Sequence, residues 1–478
     1  MNTASASLTP AVLPALQLPP PLDPGFLSAA HWNRAYAAQC RATPDSRPFA
    51  IALERPDGTV SVHHTSLLPN TREFNALNFR FAERLLKFLL WQRGGARVFV
   101  GGAREIAEAL RSEYSPAGAR AFDANFMGEK AYGTHFGIDD RPLHEFPEAK
   151  ESAMPLGRHL DGCRIGFDLG GSDRKCAAVI DGQVVFSEEI PWDPYFQSDP
   201  HYHYEGIMHS LRRAAAHLPR VDAIGGSAAG VYVNNEVRVA SLFRGVSPED
   251  FERRIRRIFF DLQRDWGGIP FEVVNDGEVT ALAGSMAMDQ NRVLGISLGT
   301  STAAGYVDAT GSIRPWLNEL AFAPVDYRPD GPVDEWSGDR GCGVQFFSQQ
   351  GVARLAPLAG IDLPPDMKFA ERLIEVQSLM AKNDPRARRL YESIGICFGH
   401  ALAHYAEFYD VAHILILGRV TSGEGGDIII AKAREALQAE FPALAERLTL
   451  TTPDETQKRH GQAVAAASLP PLHQTSRV

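Results

Sequence analysis

The chain has 478 residues, of which 44% are hydrophobic and 22% charged, and its formal net charge is −10. This composition predicts a globular protein of two or three domains, and its acidity argues against non-specific binding to nucleic acid. No apolar run approaches the length of a membrane span. Five scattered cysteines without a CxxC pair predict neither a zinc cage nor a disulfide framework, which is typical of a cytoplasmic protein.

The N-terminal third predicts a flexible segment followed by an α/β region. Residues 1–25 are rich in proline and lack a basic start, so a signal peptide is not expected. Two strands are expected around a turn at 56–58, and apolar residues recur at helical spacing over 74–88. A strand at 97–102 and a second helix follow. This order predicts an α/β domain over residues 26–160, whose role the sequence leaves open.

A glycine pair in the segment FDLGGSDRK (167–175) follows an acid by two residues. Paired glycines alone are typical of a hairpin turn. Glycines also let backbone N–H groups approach a phosphate, a hydroxyl adds a hydrogen bond, and an acid at the strand end can organise Mg²⁺. Asp168, Gly170, Gly171 and Ser172 supply this set.

Three later segments carry related chemistry. GISLGTSTAAG holds Gly299, Thr300 and Ser301 in a second strand–turn–strand unit, which echoes the first and suggests an internal duplication. In VVNDGEVTALAG, Asp276 stands where a strand gives way to a helix, so it is either an N-cap residue or a base at a strand end. ILILGRVTSGEGG places Gly418 in a turn that is either an ordinary loop or backbone open to an adenine ring.

Together, these units resemble the ROK family of sugar kinases and regulators, within the actin-like ATPase superfamily, over about residues 164–470. The segments that carry the resemblance are DLGGS (168–172) for the family's DxGGT, VNDGE (274–278) for ENDAN, LGTS (298–301) for the second phosphate loop and NELAF (318–322) for GELGH. The resemblance implies an α/β, two-lobed actin-like ATPase (ribonuclease H-like) fold. Its lobes would be residues 161–290 and 291–478, preceded by the additional N-terminal α/β region.

By this resemblance, the chain is expected to transfer a phosphoryl group from ATP, with Mg²⁺, to a sugar or sugar-like polyol. Asp276 is the expected general base, and Asp168 the expected Mg²⁺ residue, directly or through water. The expected substrate contacts are Asn275, Glu319 and Ser227, and the expected nucleotide contacts are Asp168, Gly170, Gly171, Ser172, Gly299, Thr300, Ser301, Gly418 and Arg419. Neither nucleic acid nor a membrane is an expected partner, and a homodimer is left open.

The sequence departs from the family pattern at several positions. Phe322 replaces a histidine that normally contacts sugar and zinc, and Val344 falls near a family glutamate. Only Cys342 stands where the family has a cysteine-rich zinc segment, so no structural zinc is expected. Asp173 replaces a common lysine and adds negative charge beside the expected phosphates.

The loop DEWSGDRG allows two interpretations, a new specificity loop or a solvated surface turn. Its charged residues are Asp334, Glu335, Asp339 and Arg340.

Two alternatives to a kinase remain at this point. The missing histidine and cysteines favour a non-catalytic sugar or nucleotide sensor, whereas the retained Asp168 and Asp276 favour an enzyme. Some ROK relatives are DNA-binding regulators, but the candidate segment 103–122 lacks the expected glycine turn and recognition helix.

Overall fold

The computed structural model describes residues 8–151, 156–452 and 455–472, with the backbone alone for residues 455–460. Helices and strands alternate along the chain, and three large sheets carry the architecture. The predicted α/β class is confirmed. In the described part of the chain, no helix combines the length and the apolar composition that crossing a membrane would require.

The N-terminal region forms a four-stranded sheet in the order β2-β1-β3-β4. β1 pairs antiparallel with β2 and β3, and β3 pairs parallel with β4. The predicted hairpin, helix, strand and helix are present, whereas α1, α4 and β4 were not predicted. The elements are α1 (Ala29–Ala42), β1 (Arg47–Glu54), β2 (Val60–Leu67), α2 (Asn75–Arg93), β3 (Arg97–Gly101), α3 (Arg104–Glu113), α4 (Ala121–Asn125) and β4 (Gly137–Arg141).

Residues 8–25 have little regular structure, but they are tied to the C-terminal part of the chain. The backbone N–H of Leu22 donates to the Ser393 hydroxyl at 3.0 Å. Asp23 forms ion pairs with Arg328 and Arg354, each at 2.8 Å. These contacts tie residues 22 and 23 to the C-terminal part of the chain. The flexible lead-in over residues 1–25 stays a prediction, and residues 1–7 lie outside the described part.

The first lobe is built on a five-stranded sheet in the order β11-β8-β5-β6-β7. β5, β6 and β7 form an antiparallel meander, and β8 and β11 run parallel to β5. Its elements are β5 (Cys163–Leu169), β6 (Asp173–Ile180), β7 (Gln183–Pro191), α5 (Pro200–Ala215), β8 (Ala223–Ala228), β9 (Val231–Val233), β10 (Glu236–Val239), α6 (Pro248–Asp250), α7 (Ile258–Asp265), β11 (Phe271–Asn275) and α8 (Asp276–Met288).

The second lobe has a sheet in the order β13-β12-β14-β15. β12 and β13 form an antiparallel hairpin, and β14 and β15 run parallel to β12. This arrangement repeats that of β5, β6, β8 and β11, as an internal duplication requires. Its elements are β12 (Val293–Leu298), β13 (Thr302–Val307), α9 (Val344–Phe347), α10 (Gln349–Leu358), α11 (Phe369–Ala381), α12 (Pro385–Tyr405), β14 (His413–Leu417), α13 (Glu424–Glu440), α14 (Pro442–Ala445), β15 (Thr449–Thr451) and α15 (Glu455–Ala467).

Helix α8 joins the two lobes. It begins where β11 of the first sheet ends, and its first turn lies against β13 of the second sheet. A Cβ atom at Gly277 would contact the Ala304 carbonyl oxygen, and one at Gly305 would contact the Gly277 carbonyl oxygen. Glycine at these positions therefore lets the two backbones approach closely. This packing holds Asp276 at the junction of the lobes.

The N-terminal region shares one hydrophobic core with the second lobe. Phe88 packs on Phe408 with ring centroids 4.2 Å apart, and Trp91 packs on Phe322 at 4.4 Å. These four aromatic side chains come from α2 and from two distant parts of the lobe. Burial of such rings is a large hydrophobic contribution to stability, so the region is packed as part of the lobe's core.

A buried ion network also ties α2 to the second lobe. The Asp339 carboxylate forms ion pairs with Arg84 at 3.0 Å, Lys87 at 3.1 Å and Arg120 at 2.6 Å. Lys87 also contacts Asp123 at 2.9 Å. Burial alone would raise the pKa of Asp339, but the three neighbouring cations hold it well below its ordinary value. Removing one partner of such a network leaves an uncompensated buried charge.

Candidate functional site

The first glycine-rich turn connects β5 to β6. The backbone N–H of Gly170 donates to the Asp173 carbonyl oxygen at 2.9 Å, which closes the hairpin. Ser172 is exposed, and its hydroxyl donates to the Asp173 carboxylate at 2.8 Å. The segment is therefore a hairpin turn that also presents a hydroxyl and backbone groups to solvent.

Asp168 lies one residue before the end of β5 and is only 8% exposed. The Ser227 hydroxyl, on the neighbouring strand β8, donates to its carboxylate at 2.6 Å. Burial raises the pKa of Asp168 despite this hydrogen bond. Ser227 is fully buried and its hydroxyl is bonded to Asp168, so it orients the carboxylate. The direct sugar contact by Ser227 stays a prediction.

Lys175 is a residue of this turn that the sequence analysis missed. The β5–β6 register places it opposite Asp168, with its Nζ 3.9 Å from the Asp168 carboxylate and 3.6 Å from that of Asp173. Its positive charge offsets the negative charge that Asp173 adds. The sequence contained a signal for this contact: Lys175 follows Asp173 by two residues, and in a strand this spacing puts both side chains on one face.

Asn275, and not Asp276, is the N-cap of α8. Its amide oxygen accepts the Gly277 N–H at 2.7 Å, and its amide nitrogen donates to the Gly230 carbonyl at 2.7 Å. The side-chain NH₂ group of Asn275 has a second N–H, which the hydrogen bond to Gly230 does not use. The N-cap interpretation of Asp276 is therefore wrong: Asp276 is the first residue of the helix, at the carboxyl end of β11.

Three carboxyl groups with raised pKa values surround this helix start. Burial, reinforced by the charge of Asp168, raises the pKa of Asp276 to about 6. Burial and the Asp276 charge raise that of Glu319 to about 7. Burial, with Glu319 and Asp276 nearby, raises the pKa of Glu278 to about 8. Such a cluster can exchange protons near neutral pH.

Glu278 belongs to the VNDGE segment, but the sequence analysis assigned it no role. It is 8% exposed on the first turn of α8, two residues after Asp276. The sequence shows that Glu278 belongs to this motif, but the burial that raises its pKa depends on segments far away in sequence.

The N-terminal region positions Glu319. The backbone N–H of Glu319 donates to the Trp91 carbonyl oxygen at 2.9 Å, and that of Asn318 donates to the Gln92 carbonyl at 2.9 Å. The C-terminal end of α2 therefore anchors the segment that carries a predicted substrate residue. The Phe322 ring packs on Trp91 and is therefore part of the shared hydrophobic core.

The DEWSGDRG loop buries two of its four charged residues. Asp339 is buried in the ion network with α2, and Asp334 is buried and accepts the Ser337 N–H at 2.7 Å. Glu335 and Arg340 are exposed. A solvated turn is therefore wrong for the two aspartates: cations of the N-terminal region neutralise Asp339, and Ser337 binds Asp334. The specificity-loop interpretation stays a prediction.

Cys342 is buried beside Lys87 and Asp339, and burial raises the pKa of its thiol to about 12. Val344 is likewise buried. Within residues 8–151, 156–452 and 461–472, no group of three His, Cys, Asp or Glu side chains is placed to hold a metal ion. The expectation of no structural zinc stays a prediction.

The second glycine-rich turn connects β12 to β13. The N–H of Gly299 donates to the Ser301 carbonyl oxygen at 2.9 Å, and Thr300 and Ser301 are exposed. Gly418 has φ +106°, and a Cβ there would clash with the Leu298 carbonyl oxygen. The structure therefore brings the predicted adenosine turn against the predicted phosphate turn.

Arg419 follows Gly418 and is exposed. Its carbonyl oxygen accepts a hydrogen bond from the Gln377 amide at 3.0 Å. The Arg419 side chain is exposed at the end of β14.

No family model and no curated protein matches the sequence. Solved structures do resemble the fold. The ROK hexokinase of Thermus thermophilus is similar at 20% identity and a TM-score of 0.51, over 64% of this chain and 96% of that one. A ROK glucokinase of Streptomyces griseus, in complex with glucose and AMPPNP, has 19% identity and a TM-score of 0.48, over 64% and 98%. A ROK transcriptional regulator, a homologue of the E. coli MLC protein, has 19% identity and a TM-score of 0.48, over 65% and 79%.

The likeness to the Thermus hexokinase confirms the predicted ROK-type, actin-like ATPase fold. At this level of identity, the likeness shows the fold alone. About a third of this chain lies outside the match.

Proposed function

We propose that this protein is an ATP-dependent kinase that phosphorylates a hydroxyl of a sugar or sugar-like polyol, with Asp276 as general base. The observation that carries the proposal is the position of Asp276. Its carboxyl group lies at the end of a sheet strand, between the lobes, with a pKa of about 6. A base whose pKa lies near the working pH is suited to accept the proton of an attacking hydroxyl, which typically contributes about 10²–10⁴-fold.

The two glycine-rich turns fit the phosphates of ATP. Each turn ends a hairpin of its sheet and presents exposed hydroxyls, those of Ser172 in the first and of Thr300 and Ser301 in the second. Gly299 has space beside its Cα atom, whereas Gly171 lies against the Tyr195 ring in the first turn. The backbone N–H groups of Gly170, Gly171 and Gly299 are the proposed phosphate contacts. Gly418 packs against the Leu298 backbone, which places the proposed adenosine turn beside the second phosphate turn, and Arg419 is exposed there.

Asp168 is suited to hold Mg²⁺, because carboxylate oxygen is the ligand this ion prefers. When bound, Mg²⁺ would neutralise charge on the transferred phosphoryl group. Ser227 orients the Asp168 carboxylate. Lys175 adds a positive charge 3.9 Å away, so the acidic turn does not repel the nucleotide.

The acceptor contacts proposed are Glu319 and the remaining N–H of Asn275. Near neutral pH, Glu319 exists as both acid and carboxylate, since its pKa is about 7. It can therefore donate to one hydroxyl or accept from another. The homodimer and the cytoplasmic location stay predictions from the sequence.

A sugar or nucleotide sensor is the second candidate. It is favoured by Phe322, which packs on Trp91 in the shared core at the position of the histidine in the family pattern that this segment resembles. A sensor would bind both ligands without transfer.

A coupled ADP-release screen separates the two candidates. The full chain is assayed against hexoses, amino sugars and inositols, with and without Mg²⁺, and ATP binding is measured by calorimetry. We expect Mg²⁺-dependent ADP release that requires one class of acceptor. ATP binding with no release for any acceptor would favour the sensor, and no ATP binding would contradict both.

A further inference from the structure

A surface pocket lined by arginines lies where the N-terminal region meets the second lobe; we name it the arginine pocket. Its volume is about 220 Å³. A cavity of about 150 Å³ is large enough for benzene, and a phosphate group is smaller than benzene. Neither the two glycine-rich turns nor the carboxyl cluster around Asp276 contributes a residue to this pocket. The lining arginines are Arg80 and Arg84 of α2, Arg120 before α4, and Arg328 and Arg340 of the second lobe.

Carboxylates neutralise three of the five guanidinium groups. Arg84 and Arg120 both contact Glu83 and Asp339 at 2.6–3.0 Å. Arg328 is paired with two further carboxylates. Asp339 is the one acidic residue that lines the pocket itself, among the residues that the structure describes. The three paired arginines therefore build the walls, and any excess positive charge comes from the other two.

Arg80 is half-buried and forms no ion pair within the described part of the chain. Its guanidinium donates to the Tyr327 carbonyl oxygen, which leaves most of its N–H donors unused. Burial, together with the positive charge of Arg84, lowers the pKa of Arg80, and Glu83 and Asp339 offset only part of this effect. An anion beside Arg80 would both solvate its charge and reduce the repulsion from Arg84.

Arg340 is the second unpaired cation of the pocket. It is exposed, and one terminal nitrogen donates to the Gly331 carbonyl oxygen at 2.9 Å. The buried acids of its loop are engaged elsewhere: Asp334 accepts a backbone N–H of the loop at 2.7 Å, and Asp339 lies in the ion network. Glu335 is exposed and does not line the pocket. Among the described residues, no carboxylate lies within ion-pairing distance of Arg340.

Two unpaired guanidinium groups match the charge of one phosphate group. A phosphate monoester carries a charge of about −1.5 to −2 near pH 7, whereas a single carboxylate carries one negative charge. Guanidinium groups bind phosphate oxygens through paired N–H donors. Because the donors of Arg80 and Arg340 come from two separate parts of the chain, they suit a compact anion that has several oxygen atoms.

We propose that the arginine pocket is a phosphate-binding site, in which Arg80 and Arg340 bind the oxygen atoms of inorganic phosphate or of a small phosphate ester. The bound phosphate joins α2 of the N-terminal region to the DEWSGDRG loop of the second lobe. The N-terminal region therefore has a binding role of its own. The proposal does not depend on the kinase reaction proposed for the cleft.

The test is calorimetric titration of the full chain at low ionic strength with inorganic phosphate, glycerol 1-phosphate and acetate. Arg340→Met is the main variant, because Arg340 is exposed and its substitution leaves no buried charge unpaired. Arg80→Met removes the second unpaired charge. Arg212→Met is the matched control, because Arg212 is an exposed arginine of α5 outside the pocket. Arg419→Met tests whether the phosphate binds at the glycine-rich turns instead, and circular dichroism checks the fold of each variant.

We expect at least one phosphate probe to bind, about tenfold or more weaker to Arg340→Met and Arg80→Met, and unchanged within about twofold for Arg212→Met and Arg419→Met. The same probe should raise the melting temperature of the wild type but not that of Arg340→Met, because a ligand stabilises the folded state that binds it. Tighter binding of glycerol 1-phosphate assigns an ester, and tighter binding of inorganic phosphate assigns the free ion.

Four results would overturn the proposal. Neither phosphate probe binds at millimolar concentration, or acetate binds as tightly as the phosphate probes. Either Arg340→Met or Arg80→Met, correctly folded, binds phosphate as the wild type does. Arg419→Met loses phosphate binding as strongly as Arg340→Met.

Discussion

Glu278 allows a quantitative test of the carboxyl cluster through the substitution Glu278→Gln. The pKa of Glu278 is raised from 4.5 to about 8, so the folded protein binds a proton that the unfolded chain releases. Folding therefore loses stability as pH rises from about 4.5 to about 8. At pH 7 the penalty spans about 2.5 pKa units, each about 1.4 kcal/mol, and amounts to about 3 kcal/mol. Glutamine carries no proton equilibrium and avoids this penalty.

We expect Glu278→Gln to equal the wild type in stability at pH 4 and to exceed it by up to about 3 kcal/mol at pH 7. The measurement is the melting temperature of both proteins by circular dichroism between pH 4 and pH 8. Glu375→Gln, at an exposed position of α11, is the matched control and should stay within about 0.5 kcal/mol of the wild type throughout. A variant that is less stable at pH 7, or a difference that does not change with pH, would refute the reasoning.

Three further predictions concern Asp276, Ser227 and Lys87. The kcat/KM of the wild type should rise with pH through a midpoint near 6, because Asp276 must be ionised to accept a proton; a flat profile over pH 5–8 would contradict this role. Ser227→Ala removes the hydrogen-bond donor to buried Asp168, so the Mg²⁺ concentration for half-maximal rate should increase. An unchanged Mg²⁺ concentration would contradict the assignment of Asp168 as the Mg²⁺ residue. Lys87→Met leaves Asp123 and Asp339 with one cation fewer and should cost about 3–5 kcal/mol, seen as a lower melting temperature, whereas a melting temperature equal to that of the wild type would show that the network adds little.

The parts of the site that were predictable from the sequence depend on local chemistry. Paired glycines and a hydroxyl at 170–172 specify a hairpin turn whatever the rest of the chain does. The same holds for the turn at 299–301. Asp276 was predictable as the junction of a strand and a helix, because apolar residues precede it and helix-forming residues follow.

The unpredicted parts depend on contacts between distant segments. Glu319 is held by backbone groups of Trp91, more than two hundred residues away in sequence. Asp339 looked like a residue of a polar loop, but the cations of α2 and Arg120 bury and neutralise it. The charged residues inside the apolar helix α2 were a signal of such partners, although their identity required the structure.

Phosphoryl transfer by wild type and Asp276→Asn tests the central claim most directly. The chain is incubated with Mg²⁺·ATP and the acceptor found in the screen, and both ADP and phosphorylated product are quantified. The account predicts that the variant keeps its fold and ATP affinity but transfers about 10²–10⁴-fold more slowly. Transfer by Asp276→Asn at the wild-type rate would contradict the assignment of Asp276 as the general base.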